Sequence, residues 1–515
     1  MISLKPDFKI YTTSSNETLL YVGAPNFELL DALAAGPGDL WHSSMQQGFK
    51  NCFPELVYQT SVYWWFLNDF ETDYLSVNWR VNVEAFVIRA SVWEQIEGLD
   101  SKYSNPLMKG LDLGFGLMRT YFGIPLFVKG LFEPQTQEIK IPTVDRYYFF
   151  AKHFKKRHRF YMMLRQGVFK FPNELRAYLK TKNRTFFFDT PIKVRDLKPI
   201  EGSPTVSLVI PTMKRQAFTE LLLKDYNAQT YPIKEAVIVD ATPEAERDVQ
   251  YYRPEHFNFD IKLKWQTTKG SCRARNEAIN LCTGDYIIFA DDDVRVLPDF
   301  VEHHVKLLQT YNASACNGLD VMAEHTQQDL NDLKLRLDQL GSSRWRVGTS
   351  PIFSNANSCV RRDVVMKLQG NDINFDGGYG EDSDFGVRIL KSGEVLLHNP
   401  FSANLHLKPP EGGYRFWGKE SKILGKQRKA QPWELDTPVK WIRPVPSPTV
   451  TYGILKHYTP KQVKEWRIKH FFLYVSRGSK LMIPLKLVKL LYKQIQFNTS
   501  LFYARKLLKL GQRNS

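Results

Sequence analysis

Three consecutive carboxylates, Asp291-Asp292-Asp293, stand directly after the apolar run Tyr286 to Ala290. Neighbours on extended backbone alternate sides, so Asp291 and Asp293 can face one way and share a divalent cation while Asp292 points elsewhere. An acidic turn capping a helix would look the same in isolation, so the triplet alone establishes only concentrated negative charge. A second acidic pair, Glu381-Asp382, follows Gly377-Gly378-Tyr379-Gly380. Adjacent carboxylates oppose each other's ionisation, which can raise one pKa towards a value useful to a base, although first-turn acids also complement a helix dipole.

The elements that must position these groups alternate in type. Val206 to Ile210 is a β-branched, apolar run ending in Pro211-Thr212, Ala217 to Tyr226 has helical periodicity, and Ala236 to Val239 is a second apolar run ending at Asp240. Ser271 to Leu281 is a further helix candidate, leading through Thr283-Gly284 into the run that ends in the acid triplet. Ligand groups gathered at strand carboxyl ends are what an open parallel sheet predicts. The polar stretch Ile192 to Pro204, with two prolines and a glycine, reads as the main boundary. The predicted organisation is therefore an α/β region over 1–145, a helical, basic connecting segment over 146–203, a second α/β domain over 204–412, and a basic, partly amphipathic helical tail over 413–515.

Taken in order, Val206 to Thr212, Gln229-Thr230-Tyr231-Pro232, Val237 to Asp240, Gly270 with Ala274-Arg275-Asn276, and Asp291-Asp292-Asp293 with Pro298 resemble the glycosyltransferase family 2 signature. Gly377 to Phe385 resembles that family's acceptor-side element, glycines followed by a Glu-Asp pair at a helix start. The resemblance implies a Rossmann-like mixed sheet of the GT-A type and inverting transfer of a sugar from a nucleotide-sugar donor to an acceptor hydroxyl, in cell-surface polysaccharide or glycolipid assembly. It implies that Pro211, Thr212 and Asp240 line a nucleoside pocket, with Asn276 in the same motif. Arg273 or Arg275 approaches the diphosphate, to which a planar guanidinium fork is suited. Asp291 and Asp293 bind nucleotide and a Mg²⁺ or Mn²⁺ ion. Asp382 is the catalytic base, with Glu381 in reserve. Of His398 and His406, the second is preferred as a further metal ligand. After Pro211-Thr212 the family often shows an aromatic, an Asn and an Arg, whereas Met213, Lys214 and Arg215 stand here, and Asp240 is followed by Ala241. Uridine is therefore not implied as the base.

An internal echo accompanies the motifs. Ala85 to Trp93 with Gly98-Leu99-Asp100 aligns without gaps on Asn357 to Val365 with Gly370-Asn371-Asp372, and Leu111 to Gly114 plays against Asp382 to Gly386. The N-terminal region is thus expected to be a degenerate, shortened copy of the same domain type. Its Gly38 to His42 segment is similar to family 2 relatives with a leading degenerate domain, and Lys109-Gly110-Leu111-Asp112 occupies the region where the second copy has Glu381-Asp382. Acceptor binding, packing or dimer contact are its expected tasks; a second site on Asp39 or His42 is the sharper alternative.

The chain's net charge of +16 belongs to its tail: Gly413 to Ser515 holds 22 Lys and Arg against 4 Asp and Glu. There Tyr414, Phe416, Trp417, Trp433 and Trp441 stand among basic residues, and Lys486, Lys489 and Lys493 alternate with leucines after Pro484. Such a helix can lie on an anionic leaflet or pack on the catalytic core with its lysines in water. A 43% hydrophobic and 13% aromatic composition excludes a disordered chain. The aromatic and basic residues from Tyr147 to Tyr161 read as helices on a domain edge rather than a nucleic-acid surface. Five scattered cysteines lack metal-ligand spacing and, being odd in number, argue against a disulfide framework. Met1 to Ser15 does not read as a secretory signal, and nowhere do about 18 uncharged apolar residues run together, so the expected location is cytosolic, with peripheral contact to the inner face of a membrane. Partners expected are a nucleotide-sugar and a glycan or lipid-linked acceptor, without nucleic acid; oligomeric state is open. Rival readings are a non-catalytic carbohydrate-binding or scaffold protein, and a nucleotidyltransferase. The latter wants a glycine- and arginine-rich loop after the first strand, where Met213 to Gln216 holds no glycine.

Overall fold

The computed structural model describes residues 6–135, 138–181, 190–350, 352–414 and 430–515; Phe416 and Trp417 of the tail lie outside them. The chain forms two compact units, one running to Arg195 and taking in Trp345–Thr349 and Leu390–Val395, the other comprising Asp196–Arg344, Ser350–Ile389 and Leu396–Ser515. The crossing at Arg195 falls inside the stretch expected to be a linker, and side-chain chemistry fixes it there. The Arg195 guanidinium donates to Gly36 O at 3.0 Å, Gly38 O at 3.1 Å and Asp39 Oδ1 at 3.0 Å. Lys198 N and Glu201 N bond instead to Thr310 and Gln309 of the second unit, at 3.0 and 2.9 Å. The segment anticipated as a basic connector contributes helices Thr143–His153, Lys156–Arg165 and Phe171–Lys180 to the first unit, where Tyr147, Phe149 and Tyr161 are buried.

The first unit holds strands β1 (Lys9–Thr12), β2 (Thr18–Val22), β3 (Leu40–His42), β4 (Leu75–Val77), β5 (Phe86–Arg89) and β6 (Pro125–Val128), in the sheet order β1-β2-β5-β3-β6-β4. Its core gathers Leu40, Phe86, Ile88, Leu113 and Leu117. Helix Pro106–Arg119 presses its glycines onto neighbouring backbone: a Cβ on Gly110 would sit 2.3 Å from Val81 O.

The second unit holds β7 (Val206–Thr212), β8 (Glu235–Asp240), β9 (Asp260–Trp265), β10 (Tyr286–Ala290), β11 (Val294–Val296), β12 (Ala315–Met322), β13 (Asn357–Arg361) and β14 (Leu396–His406). The sheet order is β11-β14-β12-β13-β10-β7-β8-β9. β9, β8, β7 and β10 run parallel. β7 and β8 are buried along their whole length, so they read as continuous apolar runs, whereas the edge strand β9 carries Lys262 and Lys264. The fold class is α/β with a mixed sheet and a helical C-terminal tail, as the sequence predicts.

The two sheets share a series of strand pairings. In the first unit β4-β6-β3-β5-β2 pair antiparallel, parallel, antiparallel, antiparallel, and β11-β14-β12-β13-β10 of the second unit repeat that series. In both units a short helix follows the central strand, and a longer one, Pro106–Arg119 or Glu381–Lys391, precedes the next strand. The equivalence extends to a buried polar cluster that the sequence pattern does not expose. In the first unit Tyr148 and Lys152 donate to Asp100 at 2.7 and 3.1 Å, and Lys152 and His153 meet Asp112. In the second, Tyr452 and Lys456 donate to Asp372 at 2.6 and 2.9 Å, and Lys456 and His457 meet Asp384 at 2.7 and 2.8 Å. The helices supplying them both open Pro-Thr-Val and close on Lys-His followed by an aromatic. At the place of β7 the first unit has β1, antiparallel to β2 where β7 is parallel to β10, and among the described residues β8 and β9 have no counterpart in its sheet.

The second cluster bolts the tail to the domain. Tyr452, Trp433, Tyr503, Ala504 and Leu507 pack with Cys272, Ile373 and Phe375. Burial would raise the Asp384 carboxyl, but His457, Arg388 and Lys456 hold it well below the usual range. A carboxylate depressed in the folded state stabilises above its unfolded pKa of about 4 and loses that contribution as pH falls. Asp384→Asn is therefore expected to cost on the order of 3 kcal/mol at pH 7, seen as a lower melting temperature. The gap to wild type should narrow below about pH 4 in melts run across pH. All five cysteines are free and buried, and no helix among the described residues is long and apolar enough to cross a membrane.

Candidate active site

Adjacent parallel strands β7 and β10 end side by side, and the acid triplet leaves the sheet there. Asp291, Asp293 and His406 each offer one ligand atom, all within 4.8 Å of one another. β11 and β14 explain the approach of the histidine, since Val294 pairs with His406. Asp292 reaches the wall of the cavity beside this cluster but is also bound from the protein side. Thr212 Oγ1 donates to its Oδ2 at 2.8 Å, and Thr219 supports Thr212 at 3.2 Å. Burial lifts Asp292 to about 7 against the pull of Arg215. Asp293 is also buried, yet its bond to His406 and the Arg215 charge keep it low.

His406 bridges Asp293 through Nε2 and Asp320 through Nδ1, each at 3.3 Å. Burial opposes its charge, but the two carboxylates overcome it and push the imidazole up to about 10. Two carboxylates and an imidazole suit Mg²⁺ or Mn²⁺ when the imidazole gives up its proton on coordination. The donor set therefore fits a divalent cation.

A cavity of about 360 Å³ opens beside the cluster, lined among others by Pro211, Arg275, Asp291, His406, Lys408 and Tyr414. Arg275 is 5% exposed and pairs through Nη2 with Asp291 Oδ1. Its Nε and Nη1 are buried without a hydrogen-bond partner among the described residues. Burial alone would lower its pKa, but the charges of Asp291, Asp382 and Glu381 raise it, which puts the second acidic pair within electrostatic reach of the guanidinium. Helix Ser271–Ile279 carries Arg275 and is fixed at its start by Asp376, whose Oδ1 accepts from Cys272 N at 2.7 Å. A Cβ on Gly270 would lie 2.2 Å from Asp376 Oδ2, so that approach demands glycine.

Arg215, in sequence only a departure from the family pattern, is a further residue of the cavity wall. Its Nη1 reaches Asp292 at 3.1 Å and Asp293 at 2.8 Å, while Nε and Nη2 hold Glu411 O and Pro409 O at 3.0 and 3.2 Å. It thus offsets charge on Asp292 and Asp293 and pins the loop after β14. Leu407 N donates to Asp293 O, Gly413 N to Met213 O, and Tyr414 Oη to Gln266 at 3.0 Å, closing the loop over the cavity. The available signal was a basic residue three positions after a strand end that faces three acids.

Several predicted site residues sit elsewhere. Thr212 and Asp240 are fully buried and do not line the cavity; Asp240 spends its oxygens on Thr242 N at 2.8 Å and Tyr252 Oη at 3.0 Å. Asn276 is engaged structurally, donating to Asn371 O at 2.7 Å and Asn514 O at 2.8 Å and accepting from Asn371 N at 2.7 Å. Arg273 shares the helix of Arg275 but is absent from the cavity wall, as is His398 near the start of β14. Glu381 is buried, whereas Asp382 is partly exposed and accepts from Asn355 Nδ2. The helix bearing both begins after Gly380, whose φ of +110° favours glycine.

The model described as Glycosyl transferase family 2 matches residues 207–369. That span holds Arg215, Arg275 and the acid triplet; Glu381, Asp382 and His406 lie beyond it. The chain is 25% identical over 223 residues to the O-antigen biosynthesis protein RfbC of Myxococcus xanthus, covering 39% of this chain and 17% of that protein. It is 25% identical over 206 residues to the succinoglycan biosynthesis protein ExoM of Rhizobium meliloti, covering 38% and 62%. The chain thus spans less than two thirds of either relative. Among solved structures it is similar to the mannosyltransferase PcManGT of Pyrobaculum calidifontis in complex with GDP-Man and Mn²⁺, at 18% identity and a TM-score of 0.35, covering 61% of this chain and 89% of that one. It is also similar to S. aureus TarS 1-349 in complex with UDP-GlcNAc, at 14% identity and a TM-score of 0.38, covering 58% and 81%.

Proposed function

We propose that the second unit is a glycosyltransferase of the family 2, GT-A type that moves a sugar from a nucleotide-sugar to an acceptor hydroxyl with inversion, in polysaccharide or glycolipid assembly. The observation that carries this reading is Arg275: a buried guanidinium with two unpartnered donor positions, on the wall of a cavity shared with Asp291 and His406. A buried cation with free donors is costly unless an anion completes it, and a diphosphate does so through paired hydrogen bonds. The match of the family model to residues 207–369 supports the same reading.

In the proposed mechanism Asp382 takes the proton of the acceptor hydroxyl, and Asn355 orients its carboxylate. The acceptor oxygen bonds to the anomeric carbon from the face opposite the nucleotide as the bond to the diphosphate oxygen breaks. The diphosphate leaves with the electron pair, so a single step inverts the centre. Arg275 binds the leaving oxygens, and Arg215 keeps Asp293 and the covering loop in position. A divalent cation held by Asp291, Asp293 and His406 would supply further charge neutralisation at the diphosphate.

The first unit is proposed as a diverged half-copy without transfer chemistry. Among the described residues its sheet ends on the antiparallel β1 where the second unit continues through the parallel β7, β8 and β9, and with Asp112 matched to Asp384 the position equivalent to Asp382 is Gly110, where Val81 backbone fills the space a side chain would need. Titration of the full chain with UDP, GDP, dTDP and CMP, with and without Mn²⁺, tests the donor site. One nucleotide should bind, and Arg275→Met should weaken it by about tenfold or more. Absence of binding to all four would favour a non-catalytic scaffold.

A further inference from the structure

The last helix, Ile483–Leu510, leads two lives. Its C-terminal half buries Phe497, Ser500, Tyr503, Ala504 and Leu507 in the second unit. Its N-terminal half, with the turn before it, presents apolar side chains to solvent: Leu481 is 90% exposed, Val488 74% and Leu491 79%. Within the helix Val488, Ile495 and Phe502 recur every seventh residue, so they share one stripe, and Leu481 stands in the turn before it. A monomeric soluble protein rarely exposes so continuous an apolar strip without a partner for it.

The charge around the strip identifies the partner. From Trp466 to Ser515 there are 11 Lys and Arg and no Asp or Glu. Arg477 and Lys480 flank Leu481 at the tip, and all three are exposed. Two copies meeting through this face would bring like charges together. A nucleic acid would satisfy the lysines and leave the aliphatic side chains without a hydrophobic partner. An anionic lipid leaflet meets both requirements, burying the leucines among acyl chains while the lysines reach phosphate.

The first unit carries the same device at the equivalent place, on the helices that follow its own Lys-His cluster. Between Lys156–Arg165 and Phe171–Lys180 the turn exposes Val168 by 79% and Phe169 by 99%. From Arg146 to Asn173 there are 8 Lys and Arg and no acid. We propose that these two basic, apolar-tipped helical hairpins, Lys156–Arg165 with Phe171–Lys180 and Pro460–Ser476 with Ile483–Leu510, are each docking elements for an anionic membrane surface.

Co-sedimentation of the full chain with vesicles tests this. Vesicles of phosphatidylcholine with 30% phosphatidylglycerol, a composition of roughly the anionic content needed to draw basic segments, should bind it. Pure phosphatidylcholine should bind it at least about tenfold more weakly, and added salt should weaken the anionic binding. Replacing Val168, Phe169, Leu481, Val488 and Leu491 by Ser should reduce binding by about tenfold or more while leaving the melting temperature in place, because all five are exposed. A variant of lower melting temperature is replaced by Leu481→Ser with Phe169→Ser, read in the same way. Equal binding by wild type and variant, or no binding to anionic vesicles, overturns the proposal. So does a dimer in light scattering that the Ser variant dissolves, or capture of a nucleic acid in preference to the anionic vesicles.

Discussion

Asp382→Asn is expected to lower turnover by about a thousandfold or more while the nucleotide affinity of the protein changes little. The separation of the two effects follows from geometry. Asp382 belongs to the helix that begins at Glu381 and is absent from the wall of the cavity that holds Arg275 and the acid triplet. An amide there keeps the bond from Asn355 in shape but cannot accept a proton from the acceptor. Glu381, its neighbour, is buried, so it is poorly disposed to take over the role. The measurement is steady-state transfer beside calorimetric titration of the donor nucleotide on both proteins. Loss of donor binding in step with turnover would assign Asp382 to the donor site and remove it as the base.

The double variant Asp291→Ala with Asp293→Ala should abolish metal-dependent nucleotide binding, a loss of about a hundredfold or more in affinity. Two of the three ligand atoms that lie within 4.8 Å of one another disappear, and Arg275 and Arg215 each lose a carboxylate partner. The guanidinium of Arg275 still faces the cavity, so weak, metal-independent binding of nucleotide should persist in titrations containing EDTA. If the double variant keeps Mn²⁺-dependent binding at wild-type strength, the cation site is elsewhere.

Much of this arrangement was legible in the sequence because period and position are local properties. The buried parallel strands announced themselves as apolar runs, and β10 falls where the run before the acids predicts it. His406 comes beside Asp291 and Asp293 because β14 pairs with β11, whereas Asp292, expected to point elsewhere, shares Arg215 with Asp293 in one turn. The misplaced residues fail for a common reason: a motif supplies order along the chain but not which atoms find partners. Asn276 is taken up by the backbone of Asn371 and of Asn514, 238 residues away, and Asp240 by the local turn at Thr242 with Tyr252. Arg215 was invisible as a counter-ion because its acids lie 77 and 78 residues further on. The tail helix defeated a single label since one half packs and the other does not.

The paired Asp–Tyr–Lys–His clusters create a hazard during folding. Helix Thr143–His153 and helix Pro448–His457 present the same donors to the same kind of aspartate pair, so either could seat itself in the other's socket. Such an exchange would be a deep kinetic trap, because most of the native hydrogen bonds would be made by the wrong segment. Closure distance works against it. The first cluster closes a loop of 52 residues between Asp100 and Lys152, and the second closes one of 84 between Asp372 and Lys456. A crossed pairing would join residues 220 or 356 apart, Lys152 with Asp372 or Asp100 with Lys456, so closure entropy favours each socket's own helix by about 1 to 2 kcal/mol.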